Sequence, residues 1–209
     1  MRIVFIGPPG AGKGTQAKLA ARSLGIPHIS TGDMLRAAVA KGTAAGKDAA
    51  TYMNAGKLVP DPVVLRMLED RLKECDVAPG FILDGYPRNV DQAEALSTLT
   101  PVDRVVYFQI RLEDLLERLV ERRVCPKCNS VYNLRSHPPQ KAGFCDNDAT
   151  PLEQRPDDRK EVVEARFRTY EEQTAPLIDH YTQKGLLVKV TAWGDPAAIQ
   201  TRVLEVLRA

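Results

Sequence analysis

Hydrophobic residues occur along the chain in short continuous runs, and stretches with a repeat of three to four residues lie between these runs. Five of the runs predict strands, at residues 2–6, 27–30, 80–84, 104–110 and 186–190. Continuous rather than alternating runs are typical of parallel strands that are buried on both faces. Because predicted strands and helices alternate, the pattern favours an α/β fold with a five-stranded, doubly wound parallel sheet.

Two of the intervening helices carry signals that bear on later chemistry. Asp61 is followed by Pro62, which predicts a helix with Asp61 as its N-cap and proline in its first turn. Residues 112–123 repeat apolar side chains at the helical period, which predicts one helix with Arg118 and Arg122 on a shared face.

Two segments interrupt the alternation of strands and helices. Residues 31–60 carry two helical patterns before the next strand, which predicts a small helical insertion. Residues 124–157 lose the periodicity and contain three of the four cysteines. We therefore expect a second insertion with chemistry of its own.

Composition limits the classes of protein to consider. The chain has 209 residues, 44% of them hydrophobic, and a formal net charge of +2, so a sizeable core can form and no nucleic-acid footprint is evident. No apolar stretch approaches the roughly 20 residues of a membrane span. The first residues do not resemble a secretion signal, and four cysteines without one argue against a disulfide framework. We expect a cytoplasmic protein that binds neither nucleic acid nor membrane.

A glycine-rich segment between the first predicted strand and helix carries the strongest chemical signal. It comprises residues 7–15, with the sequence GPPGAGKGT. In such a phosphate-binding loop (P-loop), backbone N–H groups converge on an anion, the helix dipole favours negative charge, and the lysine reaches the terminal phosphates. Gly14 stands where the strict pattern has Ser or Thr, which weakens the prediction that Thr15 binds Mg²⁺ directly. The loop predicts binding of a nucleoside triphosphate.

The cysteine-containing insertion has the spacing of a metal site. Cys125 and Cys128 form a C-x-x-C pair, and Cys145 follows with Asp148 at the same spacing. Two such knuckles, separated by roughly 15–20 residues, are typical of a tetrahedral zinc site. Four protein ligands indicate a closed structural site that stabilises an insertion too small to bury a core. The alternative is a pair of reduced thiols with one unrelated cysteine.

Charged residues near the predicted crevice suggest a site for a polyanion. Asp84 ends a predicted strand, and the carboxyl edge of an open α/β sheet faces its ligand crevice, so Asp84 can hold Mg²⁺ or its waters. A strand-end turn or cap aspartate is the alternative reading. Guanidinium groups bind phosphate oxygens bidentately, and several arginines lie on segments that flank the loop. These arginines are Arg36, Arg88, Arg118, Arg122, Arg155 and Arg166.

On these motifs the whole chain resembles the adenylate kinase family, in its long-lid, zinc-containing bacterial form. The segments that carry the resemblance are residues 7–15, 30–36, 56–59 and 84–88, Gln92, Arg118, residues 122–123, the cysteine segment, residues 155–158 and Arg166. The resemblance implies a core of residues 1–29, 60–121 and 159–209. It also implies an AMP-binding insertion of residues 30–59 and a zinc-stapled lid of residues 122–158.

The resemblance further implies a division of the site residues between two nucleotides. The implied ATP-binding residues are Gly10, Ala11, Gly12, Lys13, Gly14, Thr15, Arg118, Arg122, Val131, Tyr132 and Gly194. The implied AMP-binding residues are Thr31, Arg36, Lys57, Leu58, Val59, Gly85, Tyr86, Pro87, Arg88, Gln92, Arg155 and Arg166. The implied catalytic residues are Lys13, Asp84, Arg88, Arg122, Arg155 and Arg166. The implied metal ligands are Cys125, Cys128, Cys145 and Asp148.

The activity implied by the resemblance is reversible transfer of the terminal phosphoryl group from MgATP to AMP, which gives two ADP. Its partners would be ATP, AMP and ADP alone, its cofactors Mg²⁺ held mostly through water and a structural Zn²⁺, and its expected state a monomer. The attacking group is an anionic phosphate oxygen, so the reaction needs charge neutralisation and alignment rather than a general base. This agrees with the lack of a convincing catalytic histidine or carboxylate pair in the sequence.

Three other functions are compatible with parts of the sequence. The nearest is a UMP/CMP-type nucleoside monophosphate kinase, against which Thr31 and Gln92 argue, because a glutamine amide can pair with an adenine edge. A GTPase-like switch would need an Asn-Lys-x-Asp segment after a strand, which the sequence lacks. A zinc-ribbon module that binds nucleic acid is disfavoured by the near-neutral charge and by the few aromatic residues of the insertion.

Overall fold

The computed structural model describes residues 1–111 and 113–208, and its strands confirm the five predicted runs to within one residue at each end. In chain order the strands are β1 (Arg2–Ile6), β2 (His28–Ser30), β3 (Phe81–Asp84), β4 (Arg104–Gln109), β5 (Arg122–Val124), β6 (Val131–Asn133) and β7 (Leu187–Thr191). Five of them form one parallel sheet in the order β2-β3-β1-β4-β7. The predicted fold class is therefore confirmed.

Helices connect the strands. Those in the described part of the chain are α1 (Lys13–Leu24), α2 (Thr31–Ala40), α3 (Ala44–Asn54), α4 (Asp61–Leu72), α5 (Val90–Leu99), α6 (Glu113–Val120), α7 (Lys160–Thr169), α8 (Pro176–Gln183) and α9 (Pro196–Arg208). A π-helical segment, Tyr170–Thr174, joins α7 to α8, and short 3₁₀ helices lie at Cys75–Val77 and Pro156–Asp158. Within residues 1–111 and 113–208, no helix combines the length and the hydrophobicity needed to cross a membrane.

The apolar core has two halves, one on each face of the sheet. Successive side chains of a strand point to opposite faces, so Ile3 and Phe5 of β1 join one cluster, while Val4 and Ile6 join the other. The first cluster includes buried residues of α1, α6, α7 and α9, and the second includes those of α2, α4, α5 and α8. This two-sided burial explains why the strands are continuous apolar runs.

Two predictions about helix ends are wrong. Asp61 does not cap α4, because Pro60 occupies the N-cap and no side chain there bonds to the backbone. The Asp61 carboxylate instead accepts hydrogen bonds from Asn89 Nδ2 at 3.0 Å and Gln92 Nε2 at 2.6 Å. The predicted helix over 112–123 ends at Val120, and its first position, 112, lies outside the described residues.

The end of α6 changes the expected relation between two arginines. Arg122 lies in β5, where it pairs with Asn133 of the antiparallel strand β6, so Arg118 and Arg122 do not share a helix face. The two helical patterns predicted before residue 60 are confirmed as α2 and α3. Gly46 lets these two helices approach closely, since a Cβ at that position would collide with the Ala38 carbonyl.

Candidate active site

The P-loop connects the central strand β1 to α1. Gly12 is the N-cap of α1 with φ 84°, and Gly10 has φ 83°, a left-handed conformation that other residues adopt at a cost. No side chain caps the helix, so its first N–H groups remain available to a ligand. The loop therefore has the backbone of an anion site at a helix N-terminus.

Lys13 is held across this loop by its own backbone. Its Nζ donates to the carbonyl of Gly7 at 2.7 Å and to that of Pro8 at 2.9 Å. Burial lowers the pKa of Lys13 to about 8, although the charge of Asp84 opposes part of this shift. The ammonium group is therefore poorly solvated, and a bound phosphate would stabilise its charged form.

Asp84 stands beside the loop at the carboxyl end of β3, in register with Phe5 of β1. Burial alone would raise the pKa of the Asp84 carboxyl, but its interaction with His28 and the charge of Lys13 outweigh burial and lower it. A Cβ added to Gly14 would lie 3.2 Å from Asp84 Oδ2, so glycine after the lysine allows the carboxylate to approach the first turn of α1. An ionised carboxylate here fits a cation that accompanies phosphate.

Asp158 holds two of the predicted arginines together. It is fully buried and accepts hydrogen bonds from Arg122 Nε at 2.7 Å and Arg122 Nη2 at 2.5 Å. Arg166 Nη1 reaches the same carboxylate at 3.2 Å, and it also lies 3.0 Å from Asp157 Oδ2. Two guanidinium groups from distant segments thus meet at one pair of acids.

A second carboxylate, Asp33, lies beside two more of the predicted arginines, Arg36 and Arg155. It accepts a hydrogen bond from Arg36 and lies 3.8 Å from Arg155 Nη2. Burial would raise the pKa of Asp33, but Arg36 and Arg155 outweigh burial and lower it. The pKa of Arg155 is itself lowered to about 10, first by burial and then by repulsion from Arg122 and Arg36. These arginines, together with Arg88, Arg122 and Arg166, form an arginine cluster in which the positive charges repel one another.

Arg88 lies where the arginines converge. Its Nε donates to the Gly85 carbonyl at 2.8 Å, and Thr31 Oγ1 donates to the same carbonyl at 2.8 Å. Burial, followed by repulsion from Arg166, lowers the pKa of Arg88 to about 10. Thr174, in the π-helical segment, donates its Oγ1 hydrogen to the Arg88 carbonyl at 2.7 Å. Hydrogen bonds therefore fix both the side chain and the backbone of Arg88.

Residues of the arginine cluster line two cavities. The larger cleft extends from the P-loop to the β5–β6 hairpin, and all the residues predicted to bind ATP line it. The smaller cavity lies between α2, the end of α3 and the loop that follows β3. Of the residues predicted to bind AMP, those that line it are Thr31, Arg36, Lys57, Leu58, Val59, Gly85, Arg88, Gln92 and Arg166.

The remaining predicted AMP residues lie elsewhere. Pro87 and Arg155 line the larger cleft, and Tyr86 is buried in the core at 1% exposure, so its side chain lines neither cavity. Gln92 is also deeply buried, and its amide is already engaged: Oε1 accepts from the Arg88 N–H at 2.7 Å, and Nε2 donates to Asp61. An adenine edge would have to use the second Nε2 hydrogen and the second Oε1 lone pair.

The cysteine insertion brings together the four predicted metal ligands. The donor atoms of Cys125, Cys128, Cys145 and Asp148 all lie within 4.8 Å of one another. Both knuckles fold alike: the N–H four residues on bonds to the first cysteine's carbonyl, from Asn129 to Cys125 at 3.0 Å and from Ala149 to Cys145 at 2.9 Å.

This donor set fits a tetrahedral metal ion. Tetrahedral Zn–S bonds of about 2.3 Å place two sulfur ligands somewhat under 4 Å apart, and Cys128 Sγ lies 3.5 Å from Cys145 Sγ. A hydrogen bond from the Thr150 N–H lowers the pKa of Asp148 to about 2, which keeps this ligand ionised. Tyr132, which lines the larger cleft, approaches Cys145 Sγ through its hydroxyl at 3.4 Å. The four metal-ligand candidates therefore adjoin the larger cleft.

Several residues of the site were not given a role from the sequence. They are Asp33, Asp61, Asp157, Asp158 and Thr174, and each one bonds to a predicted site residue or its backbone. The Asp-Asp pair at 157–158 offered one usable signal, because it lies between Arg155 and Arg166 in the sequence. Asp61 and Thr174 carried no such signal, since their partners are 28 or more residues away.

A parallel sheet with a P-loop after its first strand, and two cavities that meet at a cluster of arginines, define a P-loop nucleotide-binding protein with room for two phosphorylated ligands. The sequence model of the family "Adenylate kinase" matches residues 5–186. The chain belongs to the adenylate kinase family, which confirms the resemblance found in the sequence.

Curated relatives named "Adenylate kinase" agree with this assignment over the whole chain. The protein from Thermodesulfovibrio yellowstonii is 48% identical, and the match covers 99% of both chains. The one from Streptomyces griseus is 46% identical over 100% of this chain and 98% of its own. The one from Archaeoglobus fulgidus is 45% identical over 99% of this chain and 98% of its own.

Proposed function

We propose that this chain catalyses the reversible transfer of the terminal phosphoryl group from MgATP to AMP, which gives two ADP. The observation that carries the proposal is the sharing of cations between the two cavities: Arg36, Arg88 and Arg166 line both. Transfer between two nucleotides requires their phosphates to meet, and a common set of guanidinium groups neutralises both at that point. Membership of the adenylate kinase family supports the same reaction.

In this proposal the larger cleft holds ATP. Lys13 and the N–H groups at the start of α1 bind its terminal phosphates, and Arg122 approaches them from β5. Mg²⁺, when bound with ATP, neutralises and orients the phosphates, and Asp84 is the carboxylate placed to hold it through its waters. Gly14, which stands where the strict loop pattern has Ser or Thr, has no hydroxyl with which to compete for that role.

The smaller cavity holds AMP, with its phosphate at Arg36 and Arg88. An AMP phosphate oxygen attacks the terminal phosphorus of ATP, and the ADP oxygen leaves on the opposite side. No residue needs to remove a proton, because the attacking oxygen is already an anion. Arg155 and Arg166 contact the transferring phosphoryl group from the remaining sides. Their role is to neutralise its charge and to align it.

Exclusion of water is the role we propose for the lid, residues 122–158. Water left beside the transferring group would accept the phosphoryl group in place of AMP. The lid contacts the core where Lys18 Nζ, on α1, donates to the Asn129 carbonyl at 2.9 Å. Residues 30–59 form the corresponding AMP-binding insertion, and residues 1–29, 60–121 and 159–209 form the core that carries both.

We also propose that the lid cluster holds a structural Zn²⁺ bound by Cys125, Cys128, Cys145 and Asp148. The proximity of the four donors supports this assignment. A monomeric state, a cytoplasmic location and the lack of a nucleic-acid partner are proposals as well. They rest on the near-neutral charge of the chain and on the family resemblance.

The direct test mixes the purified protein with ADP and Mg²⁺ alone. ATP and AMP should both form without any partner protein, and each of the four common nucleoside monophosphates is then assayed with MgATP. We expect AMP to be the preferred acceptor, whereas a preference for UMP or CMP would favour the alternative kinase. Arg88→Ala should lower turnover on the order of 10²–10³-fold, as expected for the loss of one transition-state cation. Arg66→Ala, an exposed arginine on α4, is the matched control.

A further inference from the structure

The single tryptophan of the chain lies in the turn between β7 and α9. Trp193 is 51% exposed, although large aromatic side chains usually bury most of their surface. Gly194 and Asp195, which follow it directly, line the larger cleft. The indole is therefore placed at the edge of the proposed ATP site without filling the core.

The backbone that carries this indole is firmly held. Ala192 is fully buried, and its N–H donates to the Gln109 carbonyl at 2.8 Å, which continues the pairing of β7 with β4. Arg202 Nη2 donates to the Trp193 carbonyl at 3.0 Å. The side chain is exposed, but the turn that orients it is fixed to both the sheet and α9.

Two guanidinium groups lie over the indole ring. The Cζ of Arg118 is 5.4 Å from the ring centroid, and that of Arg111 is 5.8 Å away. Arg118 also donates through Nη1 to the Ala192 carbonyl at 3.3 Å, so it is tied to the same turn. Tryptophan is the aromatic residue that attracts a guanidinium group most strongly.

The position of Arg118 links this stack to the nucleotide. Arg118 lines the larger cleft, with Val131 and Tyr132 on the lid side of the same cleft. A guanidinium group is planar and has two faces, so one face can lie over Trp193 while the other is presented to a ligand. A nucleotide base has a flat π-face that stacks favourably on such a surface.

We propose that Trp193 is a positioning residue for the base of the nucleotide bound in the larger cleft. It holds the Arg118 guanidinium in one plane, so that the base stacks on an arginine that is already ordered. This inference rests on the proposed function, because it takes the larger cleft as the triphosphate site. Stacking grows with ring area, so the contribution of Trp193 should be greater for a purine nucleotide than for a pyrimidine nucleotide.

The test compares Trp193→Ala and Trp193→Phe with the unaltered protein. For Trp193→Ala we expect the KM for ATP to rise about 3- to 10-fold, the size of one exposed to partly buried cation–π contact. The KM for AMP and the kcat should stay within about twofold, since neither depends on the base of ATP. The KM for CTP should change less than that for ATP. Trp193→Phe, which keeps an aromatic face under Arg118, should restore most of the affinity for ATP.

Controls separate this role from a structural one. Leu99→Ala removes another exposed apolar side chain, at the end of α5 and 40% exposed, and should leave every constant unchanged. An unchanged KM for ATP in Trp193→Ala, or a Trp193→Phe variant no better than the alanine variant, would overturn the inference. A rise in the KM for AMP equal to that for ATP would also overturn it. If the unaltered protein transfers no phosphoryl group between any nucleotides, it is the proposed function that fails.

Discussion

Replacing Asp158 with asparagine tests whether one buried carboxylate aligns two arginines of the proposed phosphate site. The carboxylate accepts two hydrogen bonds from Arg122, at 2.7 and 2.5 Å, and one from Arg166 at 3.2 Å. Asparagine keeps the size of the side chain, but it removes the negative charge and turns an NH₂ donor toward a guanidinium group. Arg166 retains Asp157, whose Oδ2 lies 3.0 Å away, so the disturbance falls mainly on Arg122.

The expected magnitude follows from these contacts. Removal of one partner of a buried ion pair costs about 3–5 kcal/mol of stability. We expect about 3 kcal/mol here, at the low end, because water can reach the partly exposed Arg122 guanidinium and replace part of the lost interaction. In catalysis the variant has one misaligned cation rather than a missing one. The kcat should therefore fall about 100-fold, the lower limit for the loss of one electrostatic donor.

The assay is steady-state ADP formation from ATP and AMP, with urea unfolding measured in parallel. Asp157→Asn is the matched control, because Arg166 then keeps its bond to Asp158 and Arg122 keeps both of its hydrogen bonds to the same carboxylate; its kcat should stay within about tenfold. The KM for ATP should not rise in Asp158→Asn, since removing a negative charge raises the positive potential that attracts phosphate. A kcat within about threefold of the unaltered protein, or equal losses in the two variants, would refute the reasoning.

Two further predictions concern a proton and a metal. Because the pKa of Lys13 is about 8 in the folded protein and near 10.5 when unfolded, the unfolded chain binds more protons between these values. The free energy of unfolding should therefore rise with pH from 8 to 10.5, and Lys13→Met should flatten that part of a urea-midpoint profile, while an unchanged slope would contradict the shift. Chelation of the proposed lid zinc should lower the melting temperature more than it lowers turnover at low temperature; elemental analysis that finds no bound metal would disprove the zinc assignment.

The sheet and the P-loop could be predicted from the sequence because local patterns determine them. Burial on both faces produces continuous apolar runs, and the five strands appear where those runs lie. Local hydrogen bonds also follow local sequence: Ser30 accepts a bond from the Asp33 N–H at 3.3 Å at the start of α2. Asp195 does the same for the Ala197 N–H at 2.7 Å before α9.

What the sequence did not predict depends on contacts between distant segments. The short strand β5 pairs with β6 in a hairpin that closes on the first cysteine knuckle, and three-residue strands show no useful periodicity. Asp61 has the sequence of an N-cap, but its carboxylate bonds to Asn89 and Gln92, 28 and 31 residues away. Asp33 and Arg155 are 122 positions apart, and the sequence around either residue likewise does not indicate that they pair. The residue types alone predict which charged groups the site contains. The folded structure is needed to identify the partner of each charged group.

These pairings bear on how the proposed site would work, because the cations proposed to bind phosphate already have acceptors within the protein. Lys13 is held by two loop carbonyls, Arg88 by the Gly85 carbonyl, and Arg122 by Asp158. A phosphate that enters therefore finds cations whose positions are fixed, and less side-chain freedom has to be lost on binding. The acceptors also limit repulsion among arginines whose charges would otherwise oppose folding. The buried acids and the loop carbonyls together keep a cluster of like charges in place and aligned before substrate arrives.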